Sequence, residues 1–142
     1  MSSAADESLA RFADRRMVLS TLWVFVMFHY LYLDLVMMIF RPEVYSTIAE
    51  KMPWWVALLA AALMEVLIAM VLLSRILKYR ANRLANIIGG IIATLFVAIT
   101  ISRTMPAFAI LYTTVEIACT LFIIWYAWTW KGPSAETIVT KD

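Results

Sequence analysis

The sequence predicts an all-α fold, a polytopic membrane protein built as a four-transmembrane-helix antiparallel bundle. Composition is the first observation behind this: of 142 residues, 64% are apolar and 15% charged, against about half and a quarter in a soluble domain. The second is that the apolar residues gather in four runs, each close to or above the ~20 residues that cross hydrocarbon as a helix. The third is that every Lys and Arg lies outside those runs. A water-soluble core of this length could not hide so much apolar surface. That excludes a soluble nuclease, a dinucleotide-binding enzyme or a free-standing binding module, and with them nucleic acid as a partner. The partner that remains is the lipid bilayer.

Residues 1–16 are read as a cytoplasmic head. In it Leu9, Phe12 and Arg16 recur at helical spacing behind Ser3 and Asp6, which predicts an interfacial lead-in helix. Asp6, Glu7 and Asp14 in the head, and the lack of a small-residue cleavage site after the first run, argue against a cleaved signal peptide. Residues 17–130 are read as a single transmembrane domain with helices over 17–40, 54–74, 84–102 and 106–130. A backbone in lipid must satisfy its own hydrogen bonds, so each run is helical. The connections of 13, 9 and 3 residues and a cytoplasmic tail over 131–142 leave no room for a second domain. In the first connection Val44, Tyr45 and Ile48 fall on one side of a short helix that would lie on the membrane surface as a lid, with an ordered loop as the alternative. The last connection, Arg103, Thr104 and Met105, makes its two helices antiparallel neighbours, with Pro106 in a first helical turn where its missing N–H does no harm.

Charge sets the expected orientation. Lys and Arg number 3, 2, 4, 1 and 2 in the head, the three connections and the tail. Nine therefore lie on the side of both termini and three on the other, so the positive-inside rule places both termini in the cytoplasm. Arg75, Lys78, Arg80 and Arg83 dominate that bias and are read as topology determinants that also meet anionic headgroups. Trp54 and Trp55 at one interface and Trp125, Tyr126, Trp128 and Trp130 at the other agree with it, since amphipathic rings favour the headgroup level.

Function is sought among groups that a bilayer penalises. A charge at a helix centre costs about 2.5 to 3.5 kcal/mol on insertion scales. His29, Asp34, Glu65 and Glu116 are the residues concerned. On the first helix Ser20, Trp23, Met27, Tyr30, Asp34 and Met37 share a seam, so the Tyr30 phenol is expected to hydrogen-bond the Asp34 carboxyl one turn on. His29 points about 100° away and joins that face at its edge. The second helix is expected to turn Leu58, Ala61, Ala62, Glu65, Ala69 and Leu72 inward. The third offers Asn86, Gly90, Thr94 and Ala98, a small-xxx-small stripe for close packing. The fourth carries Tyr112, Thr113, Glu116, Cys119 and Thr120, the most polar face, which should look inward.

These residues predict a ligand or proton pocket of Tyr30, Asp34, Glu65, Tyr112 and Glu116, with His29 at its edge, opening outward. Such a pocket would bind or move a small hydrophobic or cationic molecule, with proton exchange on Glu65 and Glu116. The competing reading makes both carboxyls structural donors that tie helices together. No hydrolase triad, phosphate loop or zinc spacing is present, so neither catalytic residues nor a metal site is expected, and enzyme activity is the weaker reading. One cysteine, Cys119, rules out an internal disulfide. The nine methionines are scattered over several faces, as adaptable core filler is.

Three stretches carry a family resemblance: LWVFVMFHYLYLDLV from Leu22, LMEVLIAMVLLSRILKYRANRLANIIGGII from Leu63 and VEIACTLFIIWYAW from Val115. Over residues 19–130 the chain resembles an uncharacterised bacterial family of small four-helix inner-membrane proteins near the DoxX-like group. The matching positions include Tyr30, Asp34, Glu65, Arg75, Asn82, Asn86 and Glu116, whereas asparagine is common in the group at the place of His29. The resemblance implies a four-helix bundle in the bacterial cytoplasmic membrane. Some members of the wider group are linked to quinone-coupled redox complexes, which implies a second function class: an accessory or quinone-binding subunit of a membrane redox complex. A purely structural membrane protein without a ligand is the third, and a homo-oligomer is compatible with each.

Overall fold

A computed structural model describes residues 2–100 and 105–130, the side chains of residues 2–9, 11, 12, 45 and 49 excepted. The described residues form five helices: α1 (Ser2–Phe40), α2 (Pro42–Lys51), α3 (Trp54–Ile76), α4 (Tyr79–Thr100) and α5 (Ala107–Trp128). Four segments, Ala13–Phe40 of α1 and the whole of α3, α4 and α5, are long and apolar enough to cross a membrane. Outside the described residues lie the expected helix end at Ile101 and Ser102, Arg103 and Thr104 of the last connection, and the tail. The side chains of Ser3, Asp6, Leu9, Phe12 and Tyr45 lie outside them too.

The chain contains neither Pro nor Gly before Pro42, and α1 runs without a break from the head into the span. The expected lead-in helix is thus the first part of α1 and not a separate element. Arg41 ends it with φ −138° and ψ 54°, as the residue before a proline is disfavoured in helical conformation. Pro42 then opens α2, where a missing N–H costs nothing. Helix α2 resolves the alternative left open for this connection. Glu43 lies in its first turn and Lys51 in its last, each sign facing the favourable end of the helix dipole. The Arg41 guanidinium hydrogen-bonds Glu43 and holds its carboxyl below the usual carboxylate range. Met52, extended before Pro53, separates α2 from α3.

The turn between α3 and α4 is shorter than its charges suggest. Only Leu77 and Lys78 separate the helices, and Arg80 and Arg83 are inside α4. Helix α4 therefore begins five residues before the expected start at Leu84. Long Arg stems can lie along a helix while the charged head reaches the interface, and the Arg83 guanidinium sits 5.7 Å from the centroid of the Trp128 ring. At the same end Arg15 Nη1 donates to the Tyr126 carbonyl at 3.3 Å and its guanidinium covers that ring at 4.8 Å. The Tyr79 hydroxyl donates to the Trp130 carbonyl at 2.6 Å. These groups gather at one end of the bundle, its basic end.

Helix α1 packs along α3 and α5, and α4 packs along the same two, so the helices stand in the ring order α1, α3, α4, α5 with α2 folded against α1. Each span buries one stripe at helical spacing. It consists of Leu19, Trp23, Val26 and Tyr30 on α1, and of Leu67, Met70 and Ser74 on α3. On α4 it is Asn82, Asn86, Gly89, Gly90, Ala93 and Val97. On α5 it is Ala109, Thr113, Glu116, Thr120, Ile123 and Ala127. Large apolar side chains cover the outside, among them Phe28, Leu31, Leu59, Leu95 and Leu111, a surface that lipid satisfies and water does not.

The expected face of α3 is the reverse of the observed one. Leu58, Ala61, Ala62, Glu65, Ala69 and Leu72 are all exposed. With a mean hydropathy of 2.7 over its most apolar window, this helix is apolar all round, and in lipid apolarity does not select a buried side. The α4 stripe is as expected through Asn86, Gly90 and Thr94, while Ala98 is exposed. A Cβ on Gly90 would stand 2.6 Å from Ile124 Cγ1 of α5, and the Thr94 hydroxyl donates to Thr120 Oγ1 at 2.8 Å.

Candidate intramembrane polar site

Two polar groups occupy the bundle interior, and they differ in whether their hydrogen bonds are made. Near the basic end, Asn86 Oδ1 accepts from Trp23 Nε1 at 2.7 Å and from the Ser74 hydroxyl at 3.1 Å. Asn86 Nδ2 donates to Asn82 Oδ1 at 2.6 Å and to the Asn82 carbonyl at 2.9 Å. Asn82 Nδ2 in turn donates to the Ser74 carbonyl at 2.6 Å, satisfying one of the carbonyls that a helix end leaves without a partner. The amide of Asn86 thus uses its whole donor and acceptor capacity. A network this complete joins α1, α3 and α4 and leaves nothing for a ligand. Sequence reasoning noted Asn82 and Asn86 without seeing this role. Their spacing of four inside a buried stripe was the available signal.

The second group lies farther along α1 and α5. Glu116 is 2% exposed and Tyr30 8%. Glu116 Oε1 and Tyr30 Oη are both buried and make no hydrogen bond. The expected Tyr30 to Asp34 bond is therefore not formed. Asp34 is exposed yet lies within electrostatic range of both Tyr30 and Glu116. The adjoining α5 surface carries the buried Thr113 and the half-buried Tyr112 and Cys119. His29 is half-buried, its Nδ1 3.2 Å from the Phe25 carbonyl. Its ring lies 4.3 Å from that of Phe25 and 5.6 Å from that of Tyr112. Residue 29 thus reaches α5 through an aromatic contact, and the polar face expected for α5 does look inward.

Glu65 does not join this group. It is exposed on α3, which stands diagonally across the ring from α5, so the expected pairing of Glu65 with Glu116 is not what the fold produces. Of the basic residues, Arg75 Nε donates to Ser20 Oγ at 2.9 Å, and Ser20 Oγ donates to the Val71 carbonyl at 2.8 Å. Lys78 and Arg80 are exposed. Among the described residues no three His, Cys, Asp or Glu side chains come together as a metal ion would need.

Chemically, a buried carboxyl oxygen and a buried phenol without partners are each short of about 1 to 3 kcal/mol of hydrogen bonding. Native interiors rarely leave such atoms bare, and when they do an unseen water, ion or ligand is the usual reason. Here one acceptor on Glu116 and one donor-acceptor on Tyr30 lie within electrostatic range of a second acid, Asp34, while His29, next to Tyr30 on α1, and Tyr112, one turn from Glu116 on α5, meet ring to ring. The set suits a molecule that presents an N–H or a positive charge to the acids and an apolar body to the rings.

Comparison with curated proteins and with solved structures found no match. The model of a family of unknown function, DUF6326, matches residues 9–137, nearly all of the helical bundle described above, and the chain belongs to the DUF6326 family.

Proposed function

We propose that this DUF6326 protein is a multi-pass protein of the bacterial cytoplasmic membrane, near the DoxX-like group, with both termini inside. In this reading it binds a small lipophilic cation at Tyr30, Asp34 and Glu116. The observation that carries the reading is the pair of buried, unbonded atoms, Glu116 Oε1 and Tyr30 Oη, beside the acid Asp34. Glu116 supplies the charge, Tyr30 a directed hydrogen bond, and the His29 and Tyr112 rings the apolar wall. A proton occupies Glu116 when the cation does not, so cation movement through the site is exchanged against protons.

The test is equilibrium binding of tetraphenylphosphonium and smaller alkylammonium ions to the purified protein in detergent. Proton and cation compete for one carboxylate, so binding weakens as pH falls. Glu116→Gln keeps the shape and removes the charge. Binding is expected to drop at least about tenfold, by the size of one charge-assisted hydrogen bond, with the melting temperature retained. Tyr30→Phe is expected to weaken binding less. Equal binding by Glu116→Gln and parent, or no binding by the parent, would leave the site a structural one.

A second reading has its own observation. The exposed α3 face places Ala61, Ala62, Glu65 and Ala69 where another helix could approach closely. We read it as a contact for a second copy or for a subunit of a larger membrane assembly, in which Glu65 finds the hydrogen-bond partner that lipid denies it. Co-purification from native membrane with and without Glu65→Leu tests it.

A further inference from the structure

The outer surface between α1 and α3 contains an open groove of about 720 Å³, which the cation site does not use. Its walls are apolar, with Met27, Phe28 and Leu31 on α1 and Ile68 and Leu72 on α3, and Arg75 closes one end. Arg75 is next to the last residue of α3, at the basic end, while Ile68 lies seven residues deeper, about 10 Å along the helix. The groove therefore runs from the headgroup level into the hydrocarbon.

Two features distinguish this surface from an ordinary lipid-facing gap. The first is that the cation at its mouth is held in place. Arg75 Nε is bound to Ser20 Oγ, which leaves the two terminal nitrogens of the guanidinium as a fork with no acceptor among the described residues. Such a fork matches two oxygens of a phosphate. The second is a neighbouring cation. Arg16, one turn before Ser20 on α1, donates from Nη1 to the Arg75 carbonyl at 3.4 Å, and its Nε is buried without a hydrogen-bond partner. No carboxylate pairs with either guanidinium among the described residues. The Arg75 fork at the groove's end, with the Arg16 guanidinium reaching the Arg75 backbone and keeping an unmet buried donor, favours an anion there, and the apolar walls leading away from Arg75 favour an acyl chain. A free phosphate would answer the first and not the second.

We propose that the α1–α3 groove is a binding site for one anionic glycerophospholipid, its phosphate on Arg75 with Arg16 beside it and one acyl chain lying along Leu72, Ile68 and Leu31. A zwitterionic lipid fits the groove equally well but brings an ammonium to a site already crowded with positive charge. The site therefore selects by headgroup and holds by chain.

Native mass spectrometry of the purified protein, titrated with dioleoylphosphatidylglycerol or dioleoylphosphatidylcholine, tests this. One phosphatidylglycerol is expected to remain bound where phosphatidylcholine is lost, with a preference of about fivefold for each basic group at the surface. Arg75→Gln should abolish most of the preference. Arg80→Gln, which removes a charge at the same end but away from the groove, should keep it. Leu72→Trp fills the groove while leaving both guanidiniums in place, and should weaken retention of both lipids. That variant also decides the matter should Arg75→Gln fail to fold. Glycerol phosphate, which has the headgroup chemistry without a chain, should not compete at equal concentration. The site is disproved by equal retention of the two lipids, by a preference that survives Arg75→Gln, or by Leu72→Trp behaving as the parent. Full competition by glycerol phosphate would make it a soluble-anion site instead.

Discussion

At Gly90 an added Cβ would stand 2.6 Å from Ile124 Cγ1 and 3.3 Å from the Thr120 carbonyl oxygen. Ile124 is β-branched and stiff at χ1, and the carbonyl behind it is backbone, so room is made only by parting α4 from α5. Overpacking of this kind costs about 1 to 3 kcal/mol, more than the roughly 1 kcal/mol that alanine gains over glycine in a helix interior. Gly90→Ala should lower the melting temperature in detergent, and Gly90→Leu should lower it further. At Gly89 the nearest atoms are the tip of the Trp23 ring at 3.3 and 3.4 Å, so Gly89→Ala should cost less than Gly90→Ala. Asn86 makes a different kind of demand. Asn86→Ala strips Trp23 Nε1, the Ser74 hydroxyl and Asn82 Oδ1 of their Asn86 partner at once, and should destabilise by about 1 to 2 kcal/mol. A change in the environment of the buried Trp23 indole, seen in the emission spectrum, separates this from a simple loss of packing. An unchanged spectrum with an unchanged melting temperature would deny the network its structural role.

Helices α4 and α5 advertise their buried faces through polarity, not through apolarity, and that decides what was legible. On α5 the residues Thr113, Glu116 and Thr120 recur at spacings of three and four, and the structure buries all three. On α4, Asn86 and Gly90 do the same. Helix α3 has Glu65 as the lone charge within its apolar run, and a single residue gives no periodicity. Its cost in lipid argued for an inward face, yet packing of Leu67, Met70 and Ser74 against α1 and α4 turned it out. The candidate site was thus half readable: Tyr30 and Glu116 from their faces, the absence of Glu65 from neither composition nor spacing. The start of α4 was missed for a related reason, because Arg80, Asn82 and Arg83 look like a loop unless their side chains have the Trp128 ring and Ser74 to meet. A pair of leucine substitutions exposes the difference between the two acids. Glu65→Leu should leave the melting temperature of the detergent-solubilised protein unchanged or slightly raised, since it removes an exposed charge from an apolar surface. Glu116→Leu removes a buried acid whose Oε1 makes no hydrogen bond, and should hold or raise the melting temperature while abolishing cation binding. Equal losses of binding from both would restore Glu65 to the interior.

At the scale of the molecule the ring order follows from the connections. Leu77 and Lys78 are too few to let α3 and α4 be anything but antiparallel neighbours, and α2 carries the chain from the end of α1 back to the start of α3. With four spans, residue 43 and residue 78 must then stand on opposite sides of the bilayer, whichever way the bundle is inserted. What chooses the side is charge alone. Arg15, Arg75, Lys78, Arg80 and Arg83 all lie at one end with the aromatic rings of Tyr79, Tyr126, Trp128 and Trp130, whereas Arg41 at the other end has Glu43 as its ion-pair partner. Among the described residues, the two basic ones at that end, Arg41 and Lys51, are a weaker retention signal than Arg75, Lys78, Arg80 and Arg83 clustered around one short turn. The basic end should therefore stay in the cytoplasm. Single cysteines at Glu43 and Lys78, both exposed, placed in a Cys119→Ser background and probed in intact cells with a membrane-impermeant maleimide, report the outcome directly. Glu43→Cys should be labelled from outside and Lys78→Cys only after the membrane is opened. Labelling of the Lys78 position in intact cells would invert the molecule, move Asp34 to the cytoplasmic half, and place the Arg75 groove in the outer leaflet. Labelling of both would mean that fewer than four helices cross.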